Sequence, residues 1–512
     1  MHQFIDERTV MQFYLEQIDQ DNVVFLKDND EQKAEIRKLI VKMLEAEKMN
    51  TRIQIACDLW KLLFEASMSY ISPDKRGYDK IFKYFDAYVE FEELIFASDS
   101  FYRDHTLHCL WVFFLGEYLY RKEEFQDLFA DMNNMMVVID AMEEVLLKMN
   151  MVDDASLKSF KSSANLVKGI KKNNEAVRCV AALTHDLGYP LKKIEKINNS
   201  IKKVLPYFSI QHFDDFTFQY ADVQGEFIKN FIDFISRNFS LNLNGSAQAG
   251  EIMGKIVTTN AYGNAVGINQ DVIDKLTEDE MKVLAESCKF ETYYYAPIAY
   301  KLGFAKDFEE YAHGILSSFL LCKNLNAFQR IDYDMIRNEL GSYSNNYSPL
   351  TILTLQGILS SVANHTSSTY QIGTLDEDSF LTFVDELEEF SRISRASQNR
   401  EYVEEFCDTK LYMEDGWLNV YFEFNNNELD NLNPEISFKG RCKRFLSLFD
   451  IRNMSPNLKI RVIIQGKLES NQNTYVLEIA HKHADIIING ESVNIPSYLK
   501  SQQYSTKEEY AR

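Results

Sequence analysis

From Phe101 to about Arg395 apolar residues recur with the 3.6-residue period of a helix, and helix breakers are few. Proline ends helices and glycine weakens them, yet the 512 residues include only 8 prolines and 19 glycines. A mainly α fold follows. Residues 1–95 keep the same period, as at Ile36, Leu39, Ile40, Met43 and Leu44, and are expected to form an N-terminal helical layer. The central body is expected at 96–398, with an insertion at about 197–300. A helix is expected there near Val223–Ile235. The stretch from Asn242 to Gly267 carries Gly245, Gly250, Gly254, Gly263 and Gly267 and reads as a mobile loop or lid.

Past about Arg400 the pattern changes. Leu418–Phe424, Ile460–Ile464 and Thr474–Ile479 are β-rich runs bounded by turn residues, interrupted by one helix near Pro434–Phe449. Residues 399–512 are therefore expected as a small α+β domain with a frayed polar end. A chain of this length exceeds the size at which one core stops growing, so several structural units are anticipated.

With 55 basic and 77 acidic residues the formal net charge is −22. Such a balance argues against a broad nucleic-acid surface and against anionic membranes, but a small anionic substrate remains compatible with cations lining a pocket. The seven cysteines include no C-x-x-C pair, which suggests neither a disulfide framework nor a zinc ribbon and fits a reducing cytoplasm. Met1–Val10 is polar, and no apolar run approaches 18 residues, so neither secretion nor membrane spanning is expected.

The nine histidines are informative through their placement. His105, His108, His185, His313 and His365 fall in apolar helical segments, where an imidazole needs a hydrogen bond or a metal to offset lost hydration. In Ala181-Ala182-Leu183-Thr184-His185-Asp186-Leu187-Gly188-Tyr189-Pro190 an apolar helix runs into a His-Asp pair and is stopped by Gly188 and Pro190. Neighbouring helical residues diverge by about 100°, so one site between the two side chains, such as two cations bridged by a carboxylate, suits both. His105 and His108 are three apart and share a helix face. Asp385 lies among apolar neighbours in Phe380–Phe390. Taken alone, each of these residues is also accounted for as a buried histidine bonded to a carbonyl or as a polar helix end.

In the order His, His-Asp, His, His, Asp on successive helices, residues 100–395 resemble the HD superfamily of metal-dependent phosphohydrolases. The resemblance implies an all-helical bundle holding one or two divalent ions and hydrolysing phosphate esters or anhydrides through a metal-activated hydroxide. By position, His185 and Asp186 match the defining dyad, Asp385 the closing aspartate, and His313 and His365 the further ligands of two-metal members. The family's spacing of a valine four residues after the first histidine favours His108, followed by Val112, over His105, followed by Cys109. His105 then takes an acid or supporting role. The implied cofactor is a divalent transition metal, two ions of manganese, iron, cobalt, nickel or zinc, among which the donors do not choose. No subfamily is assigned: Gly188-Tyr189-Pro190 evokes the cyclic-di-GMP phosphodiesterases, but their GYP lies farther downstream.

Asp186 is the expected bridge and, with His105 and Lys192, the expected catalytic set. Lys193 and Arg392 are expected to bind substrate phosphate, with Arg395 beside Arg392. The bland alternatives are a solvated lysine face and surface pairing of the arginines with Glu388 and Glu389. No phosphate loop, H-E-x-x-H or G-x-S-x-G motif occurs. The leading expectation is an enzyme acting on a nucleotide-like substrate. The alternative is a non-catalytic regulatory protein that senses metal or ligand on the same scaffold; a homo-oligomer fits either.

Overall fold

A computed structural model describes residues 3–96, 101–149, 155–210, 212–217, 220, 224–259, 265–287, 289–331, 348–390, 392–394, 408–424, 434–467 and 472–500. The fold is mainly α, with a small α+β region at the C-terminal end. Four helices open the chain: α1 (Glu7–Asp19), α2 (Asp30–Glu45), α3 (Met49–Ile71) and α4 (Tyr78–Phe96). Asp6 and Asn29 accept the orphan N–H groups of Thr9 and Gln32 and so start α1 and α2. α2 buries Ile36, Leu39, Ile40 and Met43, the stripe its period anticipates. On α3, Trp60 lies 4.0 Å from the Phe85 ring and donates Nε1–H to the Leu183 carbonyl at 2.7 Å. That bond ties the N-terminal layer to the segment just before His185.

The body begins with β1 (Phe101–Arg103), α5 (His105–Arg121), α6 (Ala130–Lys148), α7 (Ala155–Thr184) and α8 (Tyr189–Val204). Every residue of α5 from His105 to Leu119 is buried, as expected for a helix that is apolar all round. α9 (Gln224–Ile235) lies where a helix was anticipated and is followed by β2 (Asn238–Asn244).

Next come α10 (Ala247–Ile256), β3 (Val257–Thr259), β4 (Ala265–Ile268), α11 (Gln270–Lys275), α12 (Glu278–Ser287) and β5 (Lys289–Tyr295). This corrects the expectation of a loose lid over Asn242–Gly267. Gly250 and Gly254 lie inside α10 and Gly267 inside β4; Gly263 is outside the described residues. A second apolar core explains the ordering: Ile252, Met253, Ile256, Ile273 and Leu284 pack with Ile139, Met142 and Val145 of α6. Burial of such side chains, at roughly 1.5–3 kcal/mol each, outweighs a helical glycine's penalty of about 1 kcal/mol.

The body closes with α13 (Ile298–Glu309), α14 (His313–Asn324), α15 (Asn326–Gln329), α16 (Pro349–Asn364), α17 (Glu377–Leu387) and β6 (Arg392–Ser394). β6 pairs antiparallel with β1. α7 packs against α5, α16 and α17, and α14 lies against α16. Two glycines permit that approach. A Cβ on Gly188 would lie 2.3 Å from the His313 carbonyl oxygen, and one on Gly314 2.6 Å from the Val362 carbonyl oxygen.

The C-terminal region contains β7 (Asp408–Glu414), β8 (Trp417–Phe424), α18 (Pro434–Leu448), β9 (Ile460–Gly466), β10 (Thr474–Ala480), β11 (His483–Ile488), β12 (Glu491–Val493) and α19 (Ile495–Lys500). They form one sheet in the order β12-β11-β10-β9-β8-β7. β8 and β9 run parallel and are joined through α18, while the other pairings are antiparallel. Alternate residues such as Val420, Phe422, Val462 and Leu477 are buried, as are Phe438, Cys442 and Phe445 of α18. Ile5 bridges to Thr409 and so covers part of the β7 edge. Among the described residues no helix is long and apolar enough to cross a membrane.

Candidate metal centre

α7 stops at Thr184, and His185 and Asp186 occupy the turn before α8, which begins with Pro190 in its first turn. From α14, Ser317 donates to the His185 carbonyl and accepts from Gly188 N–H, both at 2.6 Å, and thereby holds that turn. His185 Nδ1 lies 2.7 Å from the Ala182 carbonyl, and His365 Nδ1 lies 2.6 Å from that of Val362. A carbonyl only accepts, so Nδ1 carries the proton on each ring and Nε2 points inward.

The inward atoms converge on one carboxylate. Asp186 Oδ2 is 3.3 Å from His185 Nε2, 3.8 Å from His108 Nε2 and 4.0 Å from His105 Nε2. Its other oxygen, Oδ1, is 3.1 Å from His313 Nε2 and 3.7 Å from His365 Nε2. Asp385 Oδ1 adds to the first group, 2.8 Å from His108 Nε2 and 3.9 Å from His185 Nε2. His108 and His185 are fully buried, whereas the side chain of His313 keeps 22% of its exposure and marks the accessible side.

Charge at the centre is strongly coupled. Burial disfavours the imidazolium of His185, but the adjacent Asp186 carboxylate overcomes this and holds His185 well above the usual histidine range. Burial likewise raises Asp186, yet His185, His313 and His365 bring it well below the carboxylate range. Burial pushes His365 down, with His185 and His313 adding to the effect against the pull of Asp186. A neutral His365 presents an Nε2 lone pair.

Two observations test whether a cation fits. Among the described residues, His365 Nε2 is buried with no hydrogen-bond partner. His185 Nε2 and His108 Nε2 face each other at 3.3 Å, an arrangement of two ring nitrogens that needs a shared proton or cation. The donor atoms of His108, His185 and Asp186, and those of Asp186, His313 and His365, lie within 4.8 Å of one another in each group. Each buried group could hold a metal ion, with imidazole and carboxylate donors of the kind borderline divalent ions take.

Of the other residues singled out from the sequence, His105 adjoins the cluster without joining either group. Its Nδ1 lies 2.8 Å from Glu92 Oε2, and its ring lies 4.1 Å from that of Tyr189. Lys193 sits behind, its Nζ 4.4 Å from the Tyr189 ring centroid. Lys192 is not brought to the cluster: it is exposed and donates to the Glu310 carbonyl at 3.2 Å, because it projects from α8 toward the end of α13. Arg392 lies in β6 opposite Arg103, with its side chain outside the described residues, as is all of Arg395.

Sequence reasoning missed the two carboxylates that aim the rings of α5. From the sequence Glu388 reads only as a surface ion-pair partner, yet it is fully buried with Oε2 2.5 Å from His108 Nδ1. Glu389 pairs with Arg441. The available signal was the step of three residues from Asp385 to Glu388, one helical turn along the same side. For Glu92, in another layer, no local signal existed.

No family model, curated protein or solved structure matches the chain.

Proposed function

We propose that the chain is a metal-dependent phosphohydrolase acting on a phosphoester or phosphoanhydride bond of a nucleotide-like substrate, consistent with its resemblance to the HD superfamily. The observation that carries this reading is the division of Asp186: Oδ2 turns to His108 and His185, and Oδ1 to His313 and His365. One carboxylate between two imidazole groups would suit a pair of divalent ions. His108, His185, Asp186 and Asp385 would hold the first ion, and Asp186, His313 and His365 the second. A bound pair supplies a water that ionises near neutral pH and positive charge for the phosphate oxygens.

The chain's own residues do the rest. His105, its Nδ1 proton directed to Glu92, takes up a proton at Nε2 and delivers it to the leaving oxygen. The Glu92 carboxylate accepts from the ring at Nδ1 and so holds Nε2 turned the other way. Tyr189 packs edge-on to His313 and against His105 and so forms a wall of the centre between those two rings. Lys193 behind Tyr189 adds positive charge toward an incoming phosphate. Both groups being complete favours the enzyme over the ligand-sensing alternative, which has no use for the buried His105–Glu92 pair.

The test uses full-length protein with Mn²⁺ and a panel of nucleoside triphosphates, cyclic mononucleotides and cyclic dinucleotides, alongside Asp186→Ala. Turnover of at least one substrate that disappears in the variant is the expected result. Equal background turnover for both proteins on every substrate overturns the reading.

A further inference from the structure

The C-terminal sheet lies outside the metal centre, yet its helix grips the element that closes it. α17 carries Asp385, and Glu388 follows directly from its last turn; both reach His108. On the side facing α18, Arg444 Nε donates to Glu386 Oε1 at 2.6 Å, and its terminal nitrogen lies 3.5 Å from the carbonyl of His365. Arg441 pairs with Glu389, donates to the Glu386 carbonyl at 3.4 Å and lies 4.0 Å over the Phe422 ring of the sheet. Those cations stand where the unsatisfied carbonyls of a helix C-terminus attract them.

The other end of α17 is held as well. Between His365 and α17, Ile372 N–H donates to the Leu448 carbonyl at 2.8 Å, and the Ile372 carbonyl accepts from Asp450 N–H at 3.0 Å. The Gly373 carbonyl accepts from Ser455 N–H at 2.7 Å. α18 and the turn after it therefore bracket the whole segment from one cluster histidine to the closing aspartate.

We propose that the C-terminal domain sets the metal affinity of the centre by seating α17, with Arg441 and Arg444 as the positioning residues. The proposal rests on the metal-centre reading above. Asp385 and Glu388 reach His108 only from a fixed rotation and height of α17, and carboxylates that orient ligand histidines change metal affinity by about 10–100-fold when disturbed. A ligand or partner that shifts α18 on the sheet would then be felt at Asp385 without touching it.

The experiment titrates Mn²⁺ by calorimetry into full-length wild type, Arg441→Ala/Arg444→Ala, Arg444→Lys and, as a surface control, Arg452→Ala. The double variant is expected to lose about tenfold in affinity at a thermal midpoint near that of wild type, with faster amide exchange at 384–388. Arg444→Lys, which keeps a cation for Glu386, is expected to bind more tightly than the double variant, and Arg452→Ala to match wild type. A folded double variant that binds Mn²⁺ as wild type does overturns the proposal. Should the double variant not fold, Glu386→Gln takes its place, with weaker binding expected and unchanged binding again overturning it. Wild type that takes up no Mn²⁺ sinks the metal-centre reading itself, a result distinct from loss of the seating role alone.

Discussion

Glu388 and His108, 280 positions apart in sequence, meet with Oε2 of the one 2.5 Å from Nδ1 of the other, both wholly buried. The carboxylate can only accept, so it fixes the Nδ1–H tautomer and turns Nε2 toward Asp385 and Asp186. Glu388→Gln removes the charge and keeps most of the shape. Metal affinity is expected to fall by about 10–100-fold, read by calorimetric titration; affinity equal to wild type would refute this role.

His105 and Glu92 make the parallel pair, but His105 belongs to neither ligand group. His105→Ala is therefore expected to lower kcat by about 10²–10⁴ while leaving bound metal unchanged by elemental analysis. Glu92→Gln should act in the same direction with a smaller effect. Loss of metal from either variant would reassign His105 as a ligand.

Gly188 has no room for a side chain, since its Cβ would sit 2.3 Å from backbone oxygen of His313 and 2.7 Å from Leu316. In Gly188→Ala, α14 must move away from the His185 turn. A loss of about 1–3 kcal/mol is expected in denaturant unfolding, together with weaker metal binding, because His313 travels with α14. Stability equal to wild type would show that the helices separate freely.

Asp104 caps α5 by accepting from Leu107 N–H at 3.0 Å. Burial, and then the Glu92 carboxylate, push it up to about 6. A carboxyl that binds its proton more tightly when folded contributes stability at low pH and loses it as pH rises from the unfolded carboxylate range through about 6. Asp104→Asn keeps an acceptor for the cap and does not ionise. Its stability relative to wild type should therefore improve between pH 4 and pH 7, as measured by thermal midpoints across that range; a difference independent of pH would overturn the assignment.

Much of the architecture was already written in local pattern. Apolar period and scarce breakers marked the helices, and alternation marked β8, β9 and β10, because both depend on which face of one element can be buried. The dyad was equally local, since Gly188 and Pro190 end the helix at His185. The preference for His108 over His105 rests on the family resemblance alone; in the fold the two rings have different partners, Asp385 and Glu388 for His108 and Glu92 for His105.

What only the tertiary structure decided depends on contacts between distant elements. The glycines of 242–267 read as a loop because glycine weakens a lone helix, but α10 is held by apolar side chains of α6 and α7 that no local window includes. Lys192 and Lys193 are adjacent, and the packing of α8 alone sends one to Glu310 and the other over Tyr189. Amino-acid order determined which residues were fit to bind a cation. Folding decided which carboxylates would aim them, because orientation is set by neighbours in space rather than along the chain.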